Sequence, residues 1–337
     1  MYISTVIIKP GVETMKKFNG AFVNNGTAVE RVYGDRNTAR LRDLCNMKDG
    51  IFTAQDVEDG KLEDVDVIFS TWGMPCFTDA QMAKLPNLKA VFYSAGATDS
   101  FCKPLFANNV RLFSAWRANA IPVAEFALAQ IILGLKNYFN ISANLKTSEK
   151  FLSGQNDVTC GMYGARVALL GAGEISTHLQ KLLKNFNVEV IVVPSHPERR
   201  TISLEEAFAT SQVISNHFPD RDDNVGVFNA KLFESMKPGA VFINTGRGRQ
   251  VNEEDLISVF EKRPDLTALL DVTYPEPPYD GSKLYNMPNV RLSPHIAGSL
   301  KDELYRMSDY MIEEFERFIN GEEAIHEVKP SMLLTSK

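Results

Sequence analysis

GARVALLGAGEISTHLQKLLKNFNVEVIVVP, residues Gly164–Pro194, decides how this chain is read. Residues 167–170 form a short apolar run of the length that a buried parallel strand needs. Gly171, Ala172 and Gly173 break it. Ile175, Leu179, Leu182, Leu183 and Phe186 then recur at helical spacing, and residues 188–193 form a second apolar run. Strand, glycine turn, helix and strand make a βαβ unit with its glycines at the first turn. The first glycine permits the turn and the second lets a pyrophosphate approach the backbone. The helix N-terminus supplies free N–H groups and the positive end of its dipole. Two features depart from the dinucleotide fingerprint. The third glycine is Ser176, and Pro194 stands where an acidic residue is expected about 20 residues on.

The rest of the chain supports a nucleotide domain. With 337 residues it suits two domains rather than one core. An apolar fraction of 44% and a charged fraction of 23% are those of a globular protein. A net charge of −6 does not favour nucleic acid as a partner. Four scattered cysteines (Cys45, Cys76, Cys102, Cys160) lack metal or redox spacing, so no metal site is expected. They fit a reducing cytoplasm. The opening MYISTVIIKP reads as a strand at residues 5–8, with no basic segment or cleavage site of a leader. The apolar helix around residues 123–135 contains Glu125 and Gln130 and reads as too short for a bilayer, so no membrane partner is expected.

Up to about residue 115, strand signals at 65–70, 90–93 and 110–113 alternate with helical ones at 38–45 and 79–85. This pattern predicts a parallel sheet covered by helices. Residues 119–139 read as one helix, apolar on nearly all sides and so buried on all sides, between domains, in a subunit interface, or both. After the βαβ unit come strand signals at 213–217, 240–244, 268–272 and 290–292, giving six strands in a doubly wound second sheet. Helical signals at 204–208, 232–236 and 253–260 fall between them. Ser299 with Asp302 reads as a capping box. It opens a last helix with an apolar stripe at Leu304, Met307, Met311, Phe315 and Ile319. That helix is expected to return to the first domain, and the tail after Ile325 to be irregular. The expected division is 1–117 with 299–337, and 118–298.

Three residues follow strand ends in the second half: Arg247, Glu276 and His295. The carboxyl ends of parallel strands share one sheet edge, where the Gly171 turn also lies, so these groups are expected to converge. Their types suit reduction of a 2-keto acid. A histidinium gives a proton near neutral pH. A carboxylate orients the ring. An arginine holds a substrate carboxylate bidentately. A nicotinamide supplies the hydride.

At this point the sequence resembles the D-isomer-specific 2-hydroxyacid dehydrogenases, the group that includes phosphoglycerate dehydrogenase and glyoxylate/hydroxypyruvate reductase. VALLGAGEIS (167–176), HFP (217–219), MKPGAVFINTGRG (236–248), LDVTYPEP (270–277) and SPHIAGS (293–299) carry the likeness. NAIPVAE (119–125) resembles the entry to the family's interdomain helix, while LKAVFYSAGATDSF in the first domain matches only loosely. The resemblance implies a Rossmann-type NAD(P)-binding domain plus a flavodoxin-like α/β substrate domain built from both chain ends. Substrate would lie between the domains, with homodimerisation through the long helix. It implies that Arg247 binds the substrate carboxylate and carbonyl, that His295 is the acid/base, and that Glu276 is its partner. Gly171, Gly173, Glu174, Ile175, His217, Phe218, Pro219, Thr245, Gly246, Ala297 and Gly298 would line the cofactor. Asp271 would sit near the nicotinamide carboxamide. N–H groups of Ala95, Gly96 and Ala97 would take the substrate carboxylate.

Ser176 is expected to be a tolerated packing change. Pro194 removes a carboxylate that would repel a 2′-phosphate, and Ser195, His196, Arg199 and Arg200 follow it. NADP(H) is therefore expected to be accepted beside NAD(H), unless the two arginines only solvate a loop. Tyr274 stands at a place often acidic in the family, but the resemblance puts the catalytic acid at the later Glu276. Trp72-Gly73 and residues 94–97 follow strand ends, as ligand-binding loops or ordinary turns, and the aromatics Phe92, Tyr93, Phe101 and Trp116 are either pocket walls or core. The alternative function is a dinucleotide-sensing interaction protein on the same scaffold, as in the related transcriptional corepressors. A formate-oxidising activity fits less well, because that branch pairs its histidine with glutamine.

Overall fold

A computed structural model describes residues 17–158 and 160–333. The strand expected at residues 5–8 lies outside the described residues. The chain divides into two compact units: Trp116–Glu303, and the described residues up to Ala115 together with Leu304–Val328. These limits differ by a few residues from the expected 117/118 and 298/299. The first follows from where a helix starts, since Trp116 already opens the helix Trp116–Leu135. The described residues from Lys329 on group with the second unit rather than the first.

The first unit holds five parallel strands: β1 (Asn19–Val23), β2 (Asn46–Phe52), β3 (Val67–Ser70), β4 (Ala90–Tyr93) and β5 (Arg111–Ser114). The second holds β6 (Ala165–Leu170), β7 (Val188–Val193), β8 (Val213–Asn216), β9 (Val241–Asn244), β10 (Thr267–Leu270) and β11 (Val290–Leu292), all parallel. The tail is not irregular as expected. Its β12 (Glu327–Val328) pairs antiparallel with β5, so the first sheet runs β12-β5-β4-β3-β1-β2. The second runs β11-β10-β9-β8-β6-β7. Both orders reverse direction part-way across, and the reversal opens a crevice at the carboxyl ends of the strands.

A phenylalanine ladder explains why the last helix returns to the first unit. Phe69, Phe92 and Phe113 are register partners on β3, β4 and β5. Phe92 and Phe113 stack at 4.7 Å. Phe315, on helix Glu303–Asn320, meets Phe69 and Phe92 edge-on at 5.1 and 5.2 Å. Such pairs contribute roughly 0.5–1.5 kcal/mol each beyond their buried area. Buried Ser308 of the same helix accepts from Asn37 Nδ2 at 2.8 Å and donates to the Val32 carbonyl at 2.6 Å. The expected capping box at Ser299 is not formed. The helix begins at Glu303, whose Oε2 accepts from the Leu300 N–H.

In the second unit, Phe208, Phe228, Phe233, Phe242 and Phe260 fill one side of the sheet. Helix Trp116–Leu135 covers the other through Ala124, Ala127, Ile131 and Leu135, packed with Val167, Leu169 and Val241. This helix corrects three expectations. It ends at Leu135, and a separate helix, Tyr138–Asn144, follows. At 20 residues it is also long and apolar enough to cross a bilayer, although half of its window is buried within the protein. Its burial is one-sided, since Glu125, Ala129 and Leu133 are exposed.

Candidate active site

The Gly171 turn sits where the second sheet reverses. Gly171 has φ +115°, and a Cβ there would lie 2.7 Å from the His217 carbonyl oxygen. Glycine is thus needed both for conformation and for the approach of the β8 loop. A Cβ on Gly173 would meet nothing within 4 Å. This open space at the N-terminus of helix Glu174–Leu183 is the cradle that a pyrophosphate requires. The residues present therefore fit a dinucleotide. Glu174 would oppose the anion but is drawn aside by Arg117, 3.1 Å away. Ser176 is fully buried, with no hydrogen-bond partner for its hydroxyl among the described residues.

A buried amide network holds the next two turns, and sequence reasoning missed it. Asn216 and Asn244, ending β8 and β9, are both fully buried. Asn216 Nδ2 donates to Asn244 Oδ1 at 2.9 Å and to Gln250 Oε1 at 2.7 Å. Gln250 Oε1 also accepts from the Arg247 N–H, and its Nε2 donates to the carbonyls of Phe218 and Pro219. Asn244 Oδ1 accepts from the Gly246 N–H. The loop at residues 217–219 and that at 245–250 are thereby fixed as one body. The signal lay in the matching asparagines at the ends of two adjacent strands.

His217 lies in the same layer. Its ring nitrogens meet Ser215 Oγ at 2.9 Å and Thr245 Oγ1 at 3.0 Å. Desolvation pushes its pKa down to about 3. It is a neutral wall residue at ordinary pH.

Arg247 begins the turn after β9. Its Nη1 donates to the Gly246 carbonyl at 2.8 Å, and its Nε lies 3.8 Å from Asp220 Oδ2. Gly248 then presses against the following loop: a Cβ on it would fall 1.9 Å from the Thr273 carbonyl oxygen. The loop bearing Arg247 and the loop bearing Glu276 are therefore in direct contact.

Glu276 and His295 come together as expected, with Glu276 Oε1 2.7 Å from His295 Nδ1. This fixes Nδ1 as the bonded nitrogen and leaves Nε2 for chemistry. Both side chains are about half exposed. His295 adopts φ +53°, an uncommon conformation for a side-chain-bearing residue. Its N–H donates to the carbonyls of Asp271 and Ser293.

Asp271 is buried, and three donors converge on its carboxylate: Ser293 Oγ and the N–H groups of Ile296 and Ala297. Its main visible work is to hold the histidine loop. Asn119, from the long helix, accepts from the Ser299 N–H at 2.9 Å and packs on Gly298.

After β7 the picture departs from the sequence reading. Arg200 is not available as a ligand donor. Its guanidinium donates to the carbonyls of Pro194 and Ser195 at 2.9 and 2.7 Å and lies 5.7 Å over the Phe218 ring. Arg199 is exposed. A third cation, Arg221, enters from the β8 loop, with Nη1 2.9 Å from His196 Nδ1. Ser195 is buried at the start of this turn.

In the first unit, the loop after β4 is held from behind. Ser114 Oγ donates to the carbonyls of Ala95 and Gly96 at 2.7 and 2.6 Å, and the Ala95 carbonyl also accepts from Ala115. Gly96 and the exposed Ala97 show no acceptor for their N–H groups among the described residues.

Comparison with known proteins agrees with this geometry. The chain is 29% identical over 239 residues to a putative 2-hydroxyacid dehydrogenase of Bacillus subtilis, covering 66% of this chain and 68% of that one. It is 28% identical to a D-2-hydroxyacid dehydrogenase (NAD+) of Lacticaseibacillus paracasei, covering 65% and 71%. The fold matches the crystal structure of Rhodotorula graminis D-mandelate dehydrogenase with TM-score 0.75, at 18% identity, over 93% and 98% of the two chains. Residues 128–297 match the family described as D-isomer specific 2-hydroxyacid dehydrogenase, NAD binding domain, and this chain belongs to that family.

Proposed function

We propose that the chain interconverts a 2-keto acid and its D-2-hydroxy acid, with His295, Glu276 and Arg247 as the catalytic set. Members of the family are nicotinamide-dependent oxidoreductases acting on the CH–OH group of 2-hydroxy acids, and the reading starts from there. The observation that carries it is the 2.7 Å contact between His295 Nδ1 and Glu276, which leaves Nε2 as the proton donor. When bound, the reduced nicotinamide supplies the hydride.

The chain's own residues do the remainder. Arg247 pairs with the substrate carboxylate and polarises its carbonyl. His295 Nε2 delivers a proton to the carbonyl oxygen as negative charge develops there. Glu276 accepts the Nδ1 hydrogen bond, which fixes the tautomer and stabilises the imidazolium. The Asn216–Asn244–Gln250 network keeps the arginine turn from moving. The N–H groups of Glu174 and Ile175 would hold the pyrophosphate, with His217, Phe218, Pro219, Thr245, Gly246 and Ala297 beside the rest of the dinucleotide. The Gly96 and Ala97 N–H groups are the proposed backbone donors to a carboxylate.

NADP(H) is the dinucleotide that the loop after β7 suits. No carboxylate occupies position 194, Arg199 is exposed beyond it, and Arg221 reaches His196 there while itself paired with Asp223. A second copy of the chain is the proposed partner. Leu133 on the long helix and Phe151, Leu152 and Tyr163 beyond it are exposed, at 37, 70, 80 and 87%. Cys45, Cys76, Cys102 and Cys160 form no disulfide among the described residues, which suits the cytoplasm. The sensor alternative finds no observation in its favour.

The test is oxidation of NADH and NADPH with glyoxylate, hydroxypyruvate, pyruvate, and a branched and an aromatic 2-keto acid. Turnover with at least one acid, and a lower KM for NADPH, is expected. No turnover with any acid overturns the enzymatic reading. A strong NADH preference overturns the cofactor assignment alone.

A further inference from the structure

We propose that Arg249 is a positioning residue that keeps Arg247 free for substrate by holding Asp220 away from it. The inference rests on the reading of Arg247 as the carboxylate anchor. Four charged side chains form a chain on this edge of the second sheet. Asp220 lies between two arginines: its Oδ1 accepts from Arg249 Nε at 2.5 Å, and its Oδ2 is 3.8 Å from Arg247 Nε. Arg249 Nη1 also donates to Asp222 Oδ1 at 3.0 Å.

Asp220 presents to Arg247 the same chemical group that a 2-keto acid presents. It competes for the guanidinium from within the chain, at an effective concentration set by its tether. The geometry decides which arginine holds it. The Arg249 contact is a hydrogen bond, and the Arg247 contact is only an ion pair at longer range. Arg249 is also fixed at its backbone, where its carbonyl accepts from the Gly226 N–H at 2.9 Å, and the adjoining Gln250 is locked into the buried network. Asp222 shares the Arg249 charge and completes the row. Removing the Arg249 side chain leaves Asp220 with one cationic partner, Arg247.

The experiment compares Arg249→Ala, Asp220→Asn, the double variant and Arg249→Lys in the full chain, using the best acid of the panel. Arg249→Ala is expected to raise the KM for the 2-keto acid about tenfold, with kcat and the dinucleotide KM changing less than threefold. Asp220→Asn in the Arg249→Ala background is expected to return the KM to within threefold of the parent. Arg249→Lys, a single point charge without the fork, is expected to fall between. The KM increase is expected to shrink at high salt, since these groups are partly exposed.

An unchanged KM in Arg249→Ala overturns the proposal. So does a raised KM that Asp220→Asn fails to restore, which marks a structural role. Arg247→Ala separates the two readings. A normal KM there defeats the anchor assignment itself, whereas an impaired Arg247→Ala beside a silent Arg249→Ala defeats only this inference.

Discussion

The carboxyl edges of the two sheets share a topology and differ in chemistry. On the first, Ser70, Thr71, Ser94 and Ser114 are fully buried, and their hydroxyls turn inward. Thr71 donates to the Ser94 carbonyl at 2.9 Å, Ser94 to the buried Tyr33 hydroxyl at 2.8 Å, and Ser114 to the carbonyls of Ala95 and Gly96. These groups are neutral and satisfied within the chain. On the second edge, buried amides and Asp271 fix the loops, and the ionisable side chains of Arg247, Glu276 and His295 stand on top of them. A doubly wound sheet offers the same crevice in both cases. What distinguishes the second edge is a buried scaffold that holds partly exposed charges in place.

This contrast can be broken by substitution. The largest effect is expected on the charged edge, where His295→Gln should lower turnover about 10²–10⁴-fold, the usual worth of a general acid. Next come the two glycines of the dinucleotide turn, which predict opposite failures. Gly171→Ala forces a Cβ to within 2.7 Å of the His217 carbonyl in an unfavourable conformation, so it should lower thermal stability. Gly173→Ala meets no protein atom, so it should melt normally yet bind dinucleotide at least tenfold more weakly. Thermal melting beside a fluorescence titration checks both; equal melting temperatures for the two variants would blur the distinction.

The smallest effect concerns acid stability. The folded chain holds His217 neutral, with a pKa near 3 rather than 6.5. The unfolded chain binds the extra proton between these values. The contribution of His217 is therefore complete above about pH 6.5 and is lost as pH falls toward 3. Urea midpoints at pH 7.5 and 5 should fall farther for the parent than for His217→Asn. Equal falls would show that other groups carry the acid lability.

Much of this was legible in the chain itself. β4 and β11 lie where their apolar runs put them, and the last helix follows from its stripe of Leu304, Met307, Met311 and Phe315. β1 and β2 were not, for physical reasons. β2 is an edge strand carrying Lys48, Asp49 and Gly50, and so lacks the run that marks a buried strand. β1 opens on Asn19-Gly20, which reads as a turn. Arg247, Glu276 and His295 could be placed at one sheet edge because strand ends can be located from apolar runs. Gln250, Asn216 and Asn244 escaped because buried amides look like surface residues until their partners are seen. Arg200 was misjudged for the same reason, as its carbonyl partners lie in its own loop. Asp220, Arg221 and Arg249 belong to a charge pattern that no local rule assigns to an edge.

The most direct test of the central claim is single-turnover reduction of a 2-keto acid by His295→Gln, with dinucleotide binding followed in the same samples. Hydride transfer slowed by at least 10²-fold, with dinucleotide affinity within threefold of the parent, is the predicted result. Transfer at close to the parental rate would show that the proton comes from elsewhere and that the His295–Glu276 pair is not the acid of the reaction.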